Sequence, residues 1–170
     1  MIIIKAGIEH AELLSKIGKA SFLQAHGKSA SKVDIDAYIN KTYTETVFAR
    51  ELSNSDNLYY LIYCNDKVAG YSKIILNQPN TNIKQHSITK LERLYLLEEF
   101  YGQNLGTELF DFNVELSKSQ EQQGIWLYVW VENHKAIRFY TKCGFKTVGS
   151  YDFKISETHT NPNHVLFLKY

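Results

Sequence analysis

Seven consecutive apolar residues, Ile125-Trp126-Leu127-Tyr128-Val129-Trp130-Val131, stand between Gly124 and Glu132. The run falls far short of the roughly 20 residues of a membrane span, and β-branched and aromatic side chains dominate it, as in a strand. No polar residue alternates within it, so neither face of that strand meets water. A strand buried on both faces is central in its sheet and partly parallel to its neighbours, with other layers packed above and below. A fold for this chain must supply those layers.

The rest of the chain does so. Ile2 to Lys5 reads as a short strand ending around Gly7. From Glu9 to Gln24, Leu13, Leu14, Ile17 and Ala20 fall on one helical stripe, and Gly27 is a natural stop. Ser31 to Asn40 carries Ile35, Tyr38 and Ile39 on a second helix. Thr42-Tyr43-Thr44-Glu45 has capping-box spacing and opens a third helix, in which Val47, Phe48 and Leu52 face inward. After the polar break 53–57, the strands 58–64 and 68–76 form an antiparallel hairpin around Asn65-Asp66-Lys67. Residues 77–87 are a polar loop or an extension of that hairpin.

A second informative stretch follows. Leu91-Glu92-Arg93-Leu94-Tyr95-Leu96 reads as a strand, Gly102 and Gly106 bracket a tight loop, and an amphipathic helix starts at Asn104 with Leu105, Leu109, Phe112 and Leu116 on one stripe. That helix is expected to end near Gln123-Gly124, with Gly124 at the C′ position. Strand, glycine loop and helix start together aim free backbone N–H groups and a positive dipole end at one point, an arrangement suited to phosphate. The same pattern also fits a plain turn capping a helix, and alone it does not decide. Beyond the apolar run, a helix spans Asn133 to Cys143 and is closed by Gly144. Strands at 145–155 and 164–170 end the chain, with residues 156–163 and Pro162 as a polar connection. Helices and strands interleave in the second half, giving an α/β fold (α+β on some schemes).

The chain has 170 residues, a length that fits a single domain over 1–170. Its net charge of +1 argues against a broad nucleic-acid footprint. No apolar stretch is long enough to cross a membrane, and the opening Met1–Lys5 run is too short for a signal peptide. Cys64 and Cys143 do not make a disulfide framework, so a reducing cytoplasm is the expected setting. His159 and His164 flank a loop without partner ligands, so no metal site is expected, and both read as surface or loop residues.

The order of elements, with its two glycine sites, resembles the GNAT superfamily of N-acetyltransferases. Tyr101-Gly102-Gln103-Asn104-Leu105-Gly106-Thr107 is similar to the superfamily's phosphate loop, with Gly106 on its late glycine. Tyr101 stands where Gln or Arg is usual, and Asn104 where the first glycine is usual; Asn tolerates positive φ better than most residues. The stretch from Trp126 through Asn133 and Tyr140 to Gly144-Phe145 is similar to a second superfamily segment. Glu51-Leu52-Ser53-Asn54, Ala69-Gly70-Tyr71, Leu91 to Leu96 and Ile125 to Trp130 resemble the PaiA-type polyamine N-acetyltransferases.

The resemblance implies a mixed, mostly antiparallel sheet of about seven strands with helices on both faces. It implies acetyl-CoA as cosubstrate, no metal, and a small-molecule amine as acceptor, with spermidine or spermine foremost; a homodimer is compatible with it. Backbone groups of Leu94 and Leu96 would pair with pantetheine. The loop Gly102, Gln103, Asn104, Leu105, Gly106 and Thr107 would hold the pyrophosphate. Asn133 would bond the pantetheine arm, and it is equally placed to cap the helix that follows. Tyr140 would protonate the departing thiolate, although on sequence alone it reads as a half-buried aromatic. Glu92 is the general-base candidate: strand alternation sets it beside Leu94 and Leu96, where poor solvation would raise its pKa. An exposed or ion-paired Glu92, with water relaying the proton, is the competing reading. Acetylation of another small amine or of a protein amine, and a non-catalytic acetyl-CoA sensor, are the competing functions.

Overall fold

The computed structural model describes residues 1–170. Seven strands form one sheet: β1 (Ile2–Lys5), β2 (Asn57–Cys64), β3 (Lys67–Ile75), β4 (Thr89–Leu96), β5 (Gly124–Trp130), β6 (Lys146–Lys154) and β7 (Thr160–Lys169). Their order is β1-β2-β3-β4-β5-β7-β6. Every neighbouring pair is antiparallel except β4 with β5, which is parallel. The apolar run is thus a central strand with one parallel neighbour. Ile125, Trp126, Leu127 and Val129 are all buried.

Five helices cover the sheet: α1 (Ala11–His26), α2 (Lys32–Thr42), α3 (Glu45–Leu52), α4 (Leu105–Ser119) and α5 (His134–Lys142). Leu14, Ile17 and Phe22 of α1, Ile35 and Ile39 of α2 and Phe48 of α3 pack with Tyr59, Leu61 and Tyr71 on one face. Phe110 and Val114 of α4 and Tyr140 of α5 pack on Ile74, Leu91, Ile125 and Leu127 on the other. β5 is thus covered by α4 and α5 on the face of Ile125, Leu127 and Val129, and on the face of Trp126 by Ile83 and Ile88 of the segment before β4.

Several boundaries differ from the expectation for physical reasons. The cap of α3 is Thr44, whose side chain accepts from Val47 N, rather than Thr42, which closes α2. α4 ends at Ser119, and the left-handed turn beyond it is taken by Glu121 (φ 57°), leaving Gly124 to open β5. Gln122 supports this exit: its side-chain amide bonds Asn77 and the Gln120 carbonyl. β7 starts at Thr160, so Pro162 lies inside a strand opposite Asp152 instead of in a loop, and its carbonyl accepts from Val131 N. His159 is not a free loop residue: its Nε2 lies 3.0 Å from the Ser29 carbonyl oxygen and 2.8 Å from Asn161 Oδ1.

Candidate active site

The site is created by strands that stop pairing. β4 and β5 are paired only at Thr89 with Ile125 and Lys90 with Trp126. Beyond these residues they diverge, and a cleft of about 910 Å³ opens between them. On its other edge β4 stays bonded to β3, with Tyr95 opposite Tyr71 and Leu96 opposite Gly70. Leu97 N bonds Ala69 O, so residues 93, 95 and 97 point their backbone groups toward β3. Antiparallel alternation then turns the N–H and C=O groups of Leu94 and Leu96 toward the cleft.

At the cleft's mouth the chain passes through a 3₁₀ turn at Glu98–Phe100 and reaches Gly102 (φ +78°) and Asn104 (φ 61°) before α4. Asn104 adopts the left-handed conformation that its place in the loop requires, so the missing glycine does not break the turn. A helix start leaves its first N–H groups without intrahelical partners. Here the N–H groups of residues 102 to 107 donate to no protein acceptor. The loop has the donor set that a phosphate group needs. Gln103 turns away: its Nε2 donates to Glu99 O (3.4 Å) and its Oε1 faces Cys64 Sγ (3.7 Å). The Lys135 ammonium stacks over the Tyr101 ring, 3.3 Å from its centroid.

Opposite the loop, Asn133 caps α5 by accepting from Ala136 N (3.2 Å). Tyr140 lies about two helical turns further along α5. Its ring is wedged among Phe110, Phe139 and Phe145, and burial pushes its pKa up from 10.0. No protein group bonds its hydroxyl, and the residue lines the cleft. Leu94, Leu96, Gly102, Asn104 to Thr107, Asn133, Tyr140 and Glu92 all border the same cleft, and among the expected residues Gln103 does not.

Glu92 takes the ion-paired arrangement of the competing reading, not the leucine-flanked one. The β3–β4 register slips between Lys73–Arg93 and Ile74–Leu91, leaving Glu92 as the extra residue of a bulge. Strict alternation fails there, and Glu92 meets cations instead of the two leucines. Its carboxylate is ion-paired with Lys73 and lies 3.1 Å from Lys90 Nζ. Burial alone pushes its pKa up, but Lys90, Lys73 and Arg93 outweigh this and hold it down at about 2. The expected upward shift is therefore reversed.

Glu92 belongs to a wider network that sequence reasoning missed. Lys73 Nζ also bonds Glu51 (2.9 Å), Tyr59 donates to the same carboxylate, and Arg93 Nη1 donates to Tyr59 Oη (2.8 Å). Glu51 is likewise net-lowered, since Arg93, Tyr59 and Lys73 outweigh burial. Lys73 lies within the strand expected over 68–76, and its side chain is only 6% exposed. His26, Tyr95 and Trp130 were missed as well. The histidine's spacing of four from Phe22, on the apolar stripe of α1, was the one available signal.

A family profile described as Acetyltransferase (GNAT) family matches residues 25–145. The chain belongs to this family and is an acetyl-CoA-dependent N-acetyltransferase. It is similar to an uncharacterised N-acetyltransferase from the pepI 3′ region of Lactobacillus delbrueckii subsp. lactis, with 26% identity across 83% of this chain and 82% of the relative. It is also similar to a spermidine N(1)-acetyltransferase of Thermoplasma acidophilum, with 28% identity across 84% of this chain and 86% of the relative. Among solved structures, PaiA N-acetyltransferase from Thermoplasma acidophilum in complex with coenzyme A shares the fold. Its TM-score is 0.78, with 24% identity and coverage of 99% of this chain and 98% of that one.

Proposed function

We propose that the chain, acting as one domain over residues 1–170, transfers the acetyl group of acetyl-CoA to a primary amine of a polyamine such as spermidine or spermine. Both substrates sit in one ternary complex. The observation that carries this reading is the parting of β4 from β5 beside a loop whose N–H groups lack partners. Pantetheine would pair with the free backbone edge of Leu94 and Leu96, and with the Asn133 amide left over from capping. The pyrophosphate would sit over residues 102 to 107, with the Thr107 hydroxyl adding a donor. The thioester would then lie near Tyr140, whose hydroxyl keeps its proton at neutral pH and is available to the departing thiolate.

The polyamine assignment draws on the spermidine-acetylating relative and on the Glu51 and Glu92 carboxylates bordering the acceptor end of the cleft. Glu92 serves this reading as a fixed charge. Its Oε2 is paired with Lys73 and its Oε1 with Lys90, so both oxygens are already held by ammonium groups. The free thiols Cys64 and Cys143 fit a reducing cytoplasm, and a homodimer is compatible with the reading.

One observation favours a different amine. Lys73, Lys90 and Arg93 outnumber Glu51 and Glu92 at the acceptor end, and Lys73 occupies both carboxylates. An acceptor with fewer positive charges than spermidine fits that balance. The test is coenzyme A release from acetyl-CoA across a panel of polyamines, monoamines, amino acids and peptide amines. Turnover highest with spermidine or spermine supports the polyamine reading. No response to any polyamine, with turnover of another amine, replaces it.

A further inference from the structure

With both Glu92 oxygens taken by Lys73 and Lys90, we ask which other side chain of the cleft is placed to accept the proton that the attacking nitrogen sheds. The titratable side chains bordering the cleft are tyrosines, lysines, Arg93, the two ion-paired carboxylates and one imidazole, that of His26. Lysine ammonium groups and a guanidinium have no lone pair to offer. Both carboxylates are already engaged by Lys73. His26 alone combines a basic nitrogen with freedom from ion pairing.

Its position fits the task. His26 is the last residue of α1 and reaches over the opening between the parted strands. Its ring packs on Phe22 at 5.1 Å, on Tyr95 of β4 at 6.3 Å and on Trp130 of β5 at 6.0 Å between centroids. Its Nε2 lies 3.3 Å from Tyr95 Oη, and Tyr95 borders the cleft one residue from Leu94 and Leu96. α1, β4 and β5 bring Phe22, Tyr95 and Trp130 against the imidazole, and no charged group pairs with it. Burial therefore keeps the ring neutral, with its pKa lowered from 6.5 to about 4.

We propose that Tyr95 and His26 form the proton-accepting pair of the acetyl transfer, with the Tyr95 hydroxyl touching the amine and passing the proton to His26 Nε2. The neighbouring cations favour the neutral form of the arriving amine. As its nitrogen forms a bond to the thioester carbonyl carbon, that nitrogen becomes positive and strongly acidic, so a weak base suffices. The nitrogen's proton goes to Tyr95 Oη while the Tyr95 proton moves to His26 Nε2. The C–S bond breaks with its electron pair on sulfur, and the thiolate takes the Tyr140 proton. His26 then releases its proton to solvent and Tyr140 regains one, leaving amide and thiol with no net change in the protein. The inference rests on the acetyltransferase activity and holds whichever amine is the acceptor.

The test uses the full chain, acetyl-CoA and the best amine of the acceptor panel. His26→Phe keeps the aromatic packing on Phe22 and Trp130, and Tyr95→Phe keeps the ring. Each is expected to lower kcat on the order of 100-fold, and the double variant no more than either alone. Coenzyme A affinity by calorimetry stays within about two-fold, showing that the cofactor half of the cleft is intact. In nitrogen NMR of the free protein, Tyr95→Phe shifts the His26 Nε2 resonance, a readout independent of turnover. His26→Gln stands in if the phenylalanine variant melts early. Retained kcat in either folded single variant overturns the proposal. So do losses that multiply in the double variant, or an unmoved Nε2 resonance.

Discussion

The Glu92 carboxylate is ion-paired with the Lys73 ammonium on the neighbouring strand, and the pair exists because β4 carries an extra residue at that point. The bulge converts a position that alternation would set beside leucines into one facing a buried cation. Removing the charge by Glu92→Gln leaves Lys73 to Glu51 alone. Glu92 is 26% exposed and Lys73 6%, so a loss of roughly 2–4 kcal/mol is expected, read by urea unfolding. If Glu92 is a fixed charge, kcat of the folded variant stays within about ten-fold of the parent and its pH profile keeps its shape. Loss of the acidic limb of that profile would restore Glu92 as the base.

Stability is expected to fall in two steps on acidification. The His26 pKa is lowered from 6.5 to about 4, so the unfolded chain binds that proton more tightly. Stability is then full above pH 6.5 and declines as pH drops toward 4, by about 3 kcal/mol. Glu92 is lowered from 4.5 to about 2, so its contribution is complete above 4.5 and is lost as pH falls toward 2, again about 3 kcal/mol. Glu51, also lowered, adds to the second step. Melting temperatures measured from pH 8 to pH 2 check this, and His26→Phe should remove the first step while leaving the second.

Asn104 at φ 61° and Gly102 at φ +78° give the loop prediction. Asn104→Gly should change stability by only a few tenths of a kcal/mol, whereas Asn104→Val should cost roughly 1–2 kcal/mol in backbone strain. A Cβ at Gly102 meets no atom within 4 Å, so Gly102→Ala is expected to cost strain without a clash. Because both positions aim the free N–H groups, Asn104→Val and Gly102→Ala should raise the KM for acetyl-CoA several-fold more than they lower kcat. Steady-state kinetics with varied acetyl-CoA tests this split.

The sequence carries the sheet better than it carries the site. The run from Ile125 to Val131 says that β5 is central, because burial on both faces leaves no polar alternation. The hairpin at Asn65 and Asp66 is legible because both residues tolerate the positive φ that the turn takes, 49° and 60°. The loop from Gly102 to Thr107 is legible for the same kind of local reason. What stays hidden depends on relations between distant segments. The divergence of β4 from β5 is a pairing that does not happen, and no residue of either strand encodes it alone. The Glu92 bulge depends on the register of Lys73 and Ile74 in another strand. Glu121 in the left-handed turn after α4 was missed because Gly124 offered the stronger local signal, while Gln122 decided the exit through Asn77.

Tyr140 gives the sharpest test of the coenzyme half of the cleft. Its ring contributes packing against Phe110, Phe139 and Phe145, while its hydroxyl bonds no protein group. Tyr140→Phe removes only the hydroxyl, and the aromatic cluster on α4 and α5 keeps its shape. Unfolding free energy is therefore expected to change by less than about 1 kcal/mol. Burial raises the tyrosine pKa, so the hydroxyl is protonated throughout the working range and the basic limb of the rate profile does not report its titration. If that proton reaches the departing sulfur, kcat falls on the order of 10–100-fold while coenzyme A affinity by calorimetry is unchanged. A leaving thiol more acidic than that of coenzyme A needs the proton less, so an acetyl thioester of such a thiol should narrow the gap between variant and parent. Equal losses with both thioesters, or full turnover with acetyl-CoA, would leave Tyr140 a packing residue.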